Sequence, residues 1–211
     1  MTPTSKSATA STRERILDTA EELFSQRGIS DTSLRAITSG SEVNLAAVNY
    51  HFGSKAELAR AVVGRRIGPL NEERLRRLRL VQESEDTVRA IVEAFVQPAI
   101  HMAIDHPEGP RFARMVARAL VDPHPDIRAV VFELFKETGP AFRAALKQAL
   151  PKLSDDELNW RMQFMIGAMA HTVTRCGSDD SLPIPVPKED AETVAARLTG
   201  FLVSGLTAEE A

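Results

Sequence analysis

The sequence contains little cysteine and few aromatic residues. Among 211 residues there are one Cys, one Trp, one Tyr and nine Phe. A lone Cys176 excludes an internal disulfide framework and is typical of a reducing compartment. No apolar run approaches the roughly 20 residues of a membrane-spanning helix, and the Ser/Thr/Ala-rich residues 1–11 lack the apolar core of a secretory signal. We therefore expect a cytoplasmic protein without a membrane partner.

Recognisable catalytic and metal-binding motifs are also absent. The sequence has no Gly-x-Ser-x-Gly, no phosphate-cradling glycine loop and no Glu-x-x-His. None of its five histidines has another His or a Cys at i, i+4, as a zinc-binding helix would; they are His51, His101, His106, His124 and His171. We predict that the protein is not an enzyme, has no catalytic residues, and needs no cofactor or metal.

The charge of the chain is unevenly distributed. The total is −3, but residues 1–66 hold nine basic and seven acidic side chains, whereas residues 67–211 hold seventeen and twenty-two. The N-terminal part thus carries +2 and the remainder −5. A basic patch is local, so an acidic total does not exclude a nucleic-acid contact at the N-terminal end.

Helical signals dominate the chain and predict an all-α fold. Ser-x-x-Glu capping boxes at Ser11, Ser54 and Ser154 mark helix starts, and Gly28 marks a helix end. Apolar residues recur at helical spacing, and no segment alternates like a strand. The predicted helices lie near residues 12–27, 33–40, 44–52, 54–66, 70–81, 85–105, 109–121, 125–150 with a break at Gly139-Pro140, 154–176 and 188–206, with a second break at Gly68-Pro69 and a loop over 182–187.

Residues 44–55 carry the strongest functional signal. In the short helix of this stretch, Val48 and Phe52 are spaced i, i+4, which predicts a single buried stripe. The other positions hold small, amide, aromatic and imidazole side chains and no formal charge at neutral pH, which is unusual for a solvated helix face. They are Leu45, Ala46, Ala47, Asn49, Tyr50 and His51. We interpret this stretch as the recognition helix of a helix-turn-helix.

The N-terminal region resembles the DNA-binding domain of the TetR family of transcriptional regulators. The likeness covers residues 12–66 and rests on Leu23-Phe24-x-x-x-Gly28, Thr32-Ser33-Leu34-Arg35-x-Ile37, Val43-Asn44 and His51-Phe52-Gly53-Ser54-Lys55-x-x-Leu58. Residues 33–39 and 43–52 are especially similar to the PsrA branch, whose members respond to long-chain fatty acids. The resemblance implies a flexible arm (1–11), a three-helix DNA-binding domain (12–66) and a helical ligand-binding and dimerisation bundle (67–211).

This reading assigns ten residues to DNA. Leu45, Ala46 and Ala47 can offer apolar contact to thymine methyls, and Asn49 can bond adenine. The resemblance implies phosphate contacts from Tyr50, His51, Lys55, Thr32 and Ser33, while Arg35 can reach a base or a phosphate. Two departures from the family stand out. Ser41-Glu42 replaces the usual Ala-Gly, so a left-handed Glu42 would cost about 1 kcal/mol, and Asn49 replaces a common Tyr.

A single short helix reads few base pairs, so we expect a homodimer on a palindromic operator in double-stranded DNA. The last two helices provide the predicted dimer surface, formed by Leu158, Met162, Met165, Ile166, Val194, Leu198, Phe201 and Leu202. The alternative is that these helices only close the core of the monomer.

The middle helices are predicted to enclose a small apolar ligand, which the resemblance suggests is a fatty acid or acyl-CoA. Phe and Met can line an adaptable cavity, and the candidate wall residues are Phe95, Met102, Phe112, Met115, Phe132, Phe135, Phe164 and Met169. Ordinary core packing is the alternative for each of them. We interpret the arginine run at 74, 76, 77 and 79 as a solvated helix face. A ligand-independent architectural or interaction protein is the alternative function.

Overall fold

The computed structural model describes residues 5–81, 86–120, 124–175 and 187–209, with side chains from Thr12 onward except at positions 117, 120 and 131. All regular structure within these ranges is helical. Cys176 and most of the predicted loop over 182–187 lie outside the described residues. The helices are α1 (Ser5–Arg27), α2 (Leu34–Gly40), α3 (Leu45–Phe52), α4 (Lys55–Arg79), α5 (Thr87–Ile104), α6 (Gly109–Leu120), α7 (Pro125–Phe135), α8 (Thr138–Ala149), α9 (Asp155–Arg175) and α10 (Ala191–Thr207).

The chain divides into two compact units. The first comprises Met1–Ile67 and Arg114–Leu134, and the second Gly68–Ala113 and Phe135–Ala211. In the first unit, helices α1 to α4 each turn one apolar stripe inward, as the 3.6-residue period of the sequence predicts. The buried side chains of this core include Ile16, Leu17, Ala20, Phe24, Ile37, Val48, Phe52, Leu58 and Val62.

An ion-pair cluster joins α1 to α4 inside the first unit. The Glu21 carboxylate is 1% exposed and accepts from the guanidinium groups of both Arg65 and Arg66, the latter at 3.2 Å. Arg65 also donates to Asp18 at 2.7 Å and to Glu14 at 3.3 Å. A buried carboxylate is stable only when it is paired and hydrogen-bonded, so this cluster fixes how α4 crosses α1.

The core of the second unit is formed mainly by α5 and α10, with α8 and α9 packed beside them. Phe95 of α5 meets Phe142 of α8 edge to face, with ring centroids 5.2 Å apart. Arg161 of α9 ties down the end of α10, since its guanidinium donates to the carbonyl oxygens of Leu206 at 2.8 Å and Ala208 at 2.7 Å. These bonds satisfy carbonyls that a helix end otherwise leaves without partners.

Three helix boundaries correct the sequence predictions. Helix α1 begins at Ser5, so the predicted start at Ser11 lies inside it. Helix α4 continues through Gly68-Pro69. Proline removes only one helical hydrogen bond, and the exposed Pro69 is flanked by buried Ile67 and Asn71, which hold the helix. The break predicted at Gly139-Pro140 lies earlier in the chain, between the end of α7 and the start of α8. Gly139 and Pro140 are part of the first turn of α8, where proline is tolerated.

The described residues contain neither a candidate membrane-spanning helix nor a candidate metal cluster. No helix there combines the length and apolar character needed to cross a membrane. In the same part of the chain, no three His, Cys, Asp or Glu side chains are grouped closely enough to hold a metal ion.

Candidate DNA interface

The turn between α2 and α3 is a helix end of the Schellman type with an unusual residue. The amide of Val43 donates to the carbonyl of Thr38 at 3.0 Å, and that of Glu42 donates to Ser39 at 3.4 Å. This pattern requires a left-handed residue, usually glycine, after the cap. Glu42 occupies that position with φ 54°, the one non-glycine residue with positive φ in the described chain. The left-handed conformation that the sequence suggested for Glu42 is therefore present.

Ser41 supports this turn from inside the unit. Its side chain is buried, and its hydroxyl donates to the carbonyl of Ile37 at 2.6 Å. Ile37 is itself in the core, so the hydroxyl anchors the last turn of α2. These contacts hold the turn in place despite the unfavourable backbone at the following residue.

Helix α3 begins at a side-chain cap and presents one face to the core. The Asn44 carboxamide oxygen accepts from the Ala47 amide at 2.8 Å, which satisfies one of the free amides at the helix start. Val48 and Phe52 are buried, as predicted from their spacing. The helix is held by the cap at one end and by these two apolar contacts, so its opposite face is available to a partner.

The outward face of α3 is uncharged and strongly exposed. Tyr50 is 81% exposed and Leu45 51% exposed, although large apolar groups are usually withdrawn from water. Ala46 and Asn49 are exposed as well, while Ala47 is half-buried. Four of the six residues of α3 that were predicted to contact DNA thus lie open to a partner, and the other two, Ala47 and His51, are half-buried.

Ring contacts fix the C-terminal end of α3. The Tyr50 and His51 rings meet edge to face with centroids 5.2 Å apart, and His51 lies 6.1 Å from the Phe52 ring. The Arg13 guanidinium of α1 lies 5.5 Å from the Phe52 centroid, within the range of a cation–π contact. His51 is half-buried, so both its ring packing and its polar edge contribute to this surface.

Lys55, the first residue of α4, is held by a backbone contact. Its ammonium donates to the carbonyl of Ser30 at 2.8 Å. This bond positions the positive charge of Lys55 at the start of α4. The preceding Ser54 caps α4 by accepting from the Glu57 amide at 3.1 Å, whereas the Glu57 carboxylate pairs with Arg60.

The predicted contacts at the start of α2 separate into two kinds. Thr32 is 1% exposed, and its hydroxyl donates to the carbonyl of Gly28 at 2.7 Å. This corrects the prediction of a phosphate contact, because the hydroxyl serves the end of α1 instead. Ser33 is exposed and accepts from the Ala36 amide at 3.1 Å as the cap of α2. Arg35 is exposed on α2.

Comparison with known families matches both regions of the chain. Residues 16–62 match the bacterial regulatory proteins of the tetR family, and residues 93–205 match the tetracyclin repressor-like C-terminal domain. The second match alone covers more than half of the 211 residues.

The chain belongs to the TetR family.

This membership confirms the all-α fold with an N-terminal helix-turn-helix. It also confirms the prediction that the protein is a DNA-binding regulator and not an enzyme.

Individual relatives extend the comparison. The HTH-type transcriptional regulator SrpR of Pseudomonas putida is 36% identical over 87 residues, which is 41% of this chain and 41% of that protein. Two solved structures share the fold across nearly the whole chain. FadR from Bacillus halodurans has a TM-score of 0.68 at 15% identity, covering 94% of this chain and 97% of that one. FadR from Bacillus subtilis, in complex with stearoyl-CoA, has a TM-score of 0.67 at 17% identity, covering 91% and 98%.

The predicted pocket residues differ in burial. Phe95 and Phe112 are buried in the second unit, where Met102, Phe135 and Met169 are partly buried. Met115 is buried in the first unit, and its role in a pocket stays a prediction. Two residues require correction because they are exposed. Phe132 is 75% exposed on α7. Phe164 is 65% exposed, and its ring stacks on Trp160 with centroids 5.8 Å apart.

The predicted dimer residues divide between core and surface. Five of them are buried within the second unit, in agreement with the alternative that they close the core of the monomer: Leu158, Met162, Met165, Leu198 and Leu202. Ile166 and Val194 are partly buried against the same core. Phe201 is 71% exposed, and together with Trp160 and Phe164 it gives α9 and α10 three exposed aromatic side chains. The exposed face of α9 therefore carries Trp160 and Phe164 in place of the predicted Leu158, Met162 and Met165.

Proposed function

We propose that this chain is a ligand-responsive transcriptional repressor that binds a palindromic operator as a homodimer in the cytoplasm. The observation that carries the proposal is the outward face of α3. It is uncharged, exposed and held on a helix-turn-helix by a capped start and two buried side chains. Exposed apolar and amide groups on such a helix suit base edges in the major groove.

In this proposal the residues of α3 and its neighbours divide between those that contact bases and those that contact the DNA backbone. Asn49 reads adenine, while Leu45, Ala46 and Ala47 contact thymine methyls. Tyr50, His51, Lys55 and Ser33 hold phosphates, and Arg35 supplies a further cation. Thr32 is left out because its hydroxyl is used inside the domain. Because Asn49 is the single amide side chain of this surface that contacts a base, phosphate contacts supply much of the affinity for DNA. Binding of DNA is therefore steeply dependent on salt.

The homodimer is proposed to form through the outward face of α9 and α10. Trp160, Phe164 and Phe201 are each more than 60% exposed there. Aromatic side chains provide large contact areas in interfaces, and the exposed Gly167 and Gly205 on the same helices permit close approach of a second copy. Two copies would supply the two recognition helices that a palindrome requires.

The ligand is proposed to be an acyl compound, a fatty acid or its CoA ester. Two observations support this class: the resemblance of residues 33–39 and 43–52 to the PsrA branch, and the likeness of the fold to a FadR that was solved with stearoyl-CoA. The second unit has an apolar core in which Phe95 and Met169 lie beside the guanidinium of Arg74. An acyl ligand would favour one of two conformations that differ in affinity for the operator.

Selection of bound duplexes from a random pool by the purified protein tests the proposal. We expect an inverted repeat, bound by two chains, and release when dodecanoic acid or a long-chain acyl-CoA is added. Failure to enrich any sequence would overturn the regulator and favour an architectural protein. Enrichment without release by any acyl compound would leave the DNA-binding function standing and remove the acyl ligand.

A further inference from the structure

One buried cation in the second unit is not used by the proposed DNA-binding surface. Arg74 of α4 is 1% exposed, although the surrounding arginine run predicts a solvated face. The neighbouring arginines are less buried, although Arg77 also donates to the side chain of Gln97. Arg76 and Arg77 both pair with the Glu73 carboxylate at 2.7 Å, and Arg79 is exposed. Arg74 alone in this run points into the unit.

The groups around Arg74 are all neutral. Its Nε donates to the carbonyl of Phe95 at 2.9 Å, and Nη1 donates to the Asn71 carboxamide at 3.3 Å. Nη2 lies 3.0 Å from the Met169 sulfur, and the guanidinium carbon lies 4.2 Å from the Phe95 ring centroid. Among the residues that the structure describes, no carboxylate pairs with this guanidinium.

A buried cation without a counterion is unfavourable. Buried charges are ordinarily paired, and burial lowers the pKa of the Arg74 guanidinium to about 9, which leaves it charged at neutral pH. The three acceptors and the aromatic ring offset only part of this penalty. The charge itself therefore needs an explanation.

The contacts on the two Nη atoms are the weak ones. A thioether is a poor acceptor, its side chain is flexible, and the bond to Asn71 is long. These two nitrogens form the edge of the guanidinium that binds a carboxylate through two parallel hydrogen bonds. An incoming carboxylate could thus replace the Met169 and Asn71 contacts while Nε stays on the Phe95 carbonyl.

We propose that Arg74 anchors the carboxylate of the acidic apolar ligand that regulates this protein, with Phe95 and Met169 contacting the first part of its acyl chain. This inference rests on the proposed function, because it names the group that recognises the ligand. It assigns the ligand as the free acid, because a thioester offers no charge at that position.

Direct binding of a matched acid and alcohol tests the assignment. The probes are dodecanoic acid and dodecan-1-ol, titrated calorimetrically into the full chain and into the variants Arg74→Met, Arg74→Lys and Arg79→Met. We expect the unsubstituted protein to prefer the acid about 10- to 100-fold, the range of a charge-assisted hydrogen-bonded pair. Arg74→Met abolishes the preference, Arg74→Lys reduces it several-fold, and the exposed control Arg79→Met retains it.

The outcomes separate this inference from the proposed function. Equal binding of acid and alcohol by the unsubstituted protein, or an unchanged preference in Arg74→Met, would overturn the anchor and leave an acyl-responsive regulator. Binding of neither probe and no release of DNA by acyl-CoA would overturn the acyl ligand itself. If Arg74→Met does not fold, Arg74→Lys decides, since full acid preference with lysine contradicts a role for the forked guanidinium.

Discussion

Replacing Glu42 with glycine is expected to stabilise the protein. Glu42 holds φ 54° at the end of α2, a conformation that costs an L-residue about 1–2 kcal/mol. Glycine removes that strain but adds about 0.4–1 kcal/mol of conformational entropy to the unfolded chain. The net gain is about 0.5–1 kcal/mol. For a chain of 211 residues, this corresponds to a rise in melting temperature of about 1–4 °C.

The assay is thermal unfolding followed by circular dichroism, with Glu42→Ala as the matched control. Alanine removes the same exposed carboxylate but keeps a Cβ, so the backbone strain remains. We expect Glu42→Gly to unfold at a higher temperature than both the original protein and Glu42→Ala. An equal gain in the two variants would assign the effect to charge, and a loss in Glu42→Gly would refute the strain argument.

Three further changes test the two units and the proposed dimer. Glu21→Gln should lower the free energy of unfolding in urea by about 1–3 kcal/mol, because it leaves two partly buried arginines without their carboxylate. The control Glu14→Gln, at an exposed carboxylate, should change the stability little. Equal losses in the two variants would contradict this prediction. Phe164→Lys should shift the dimer to monomer in sedimentation velocity, and the equally exposed Phe132→Lys should not; a dimer in both would exclude the proposed face. Asp190→Ala should lower the melting temperature at neutral pH.

The pH dependence of the last change follows from the cap of α10. The Thr193 amide, bonded to the Asp190 carboxylate at 2.8 Å, lowers the pKa of that carboxyl in the folded state. Its stabilising contribution is therefore complete above the ordinary carboxyl value of 3.8 and is lost as the pH falls through the lowered one. The difference in melting temperature between the original protein and Asp190→Ala should therefore disappear at acidic pH. A difference independent of pH would exclude the charged cap.

The helix-turn-helix could be predicted from the sequence because its signals are local. The i, i+4 apolar pair of α3 and the capping box at Ser54, which begins the next helix, can be recognised without reference to the rest of the fold. Val48 and Phe52 are buried as that pattern requires. Thr32 could not be placed in the same way, because its hydroxyl bonds to Leu23 and Gly28, at the end of the preceding helix.

The second unit was less predictable because its helices are apolar on more than one side. Helical spacing identifies the residues that share a face of α9, but not which face meets the core. Met162 and Met165 turned inward, and Trp160 and Phe164 outward. Trp160 was missed, although a Trp four residues before a Phe on one helix face is a visible signal.

Arg74 was misread for a similar reason. The number of arginines at 74–79 led to the prediction of a solvated helix face. Leu70, Arg74 and Leu78, however, share one face of the helix at i, i+4 and i+8, and Arg74 is the cation between two apolar residues. Leu70 and Leu78 both pack on the core of the second unit. A charged residue at a core position of an amphipathic stripe is the signal that sequence reasoning could have used.

The most direct test of the central claim is the affinity of Asn49→Ala for the selected operator and for a scrambled duplex of the same length, measured by fluorescence anisotropy over a series of salt concentrations. Lys55→Ala is the matched control, and it should weaken both duplexes alike and reduce the salt slope by about one. Asn49→Ala should lose about 1–3 kcal/mol of preference for the operator and keep its affinity for the scrambled duplex. An unchanged preference in Asn49→Ala would contradict the assignment of α3 as the helix that reads DNA.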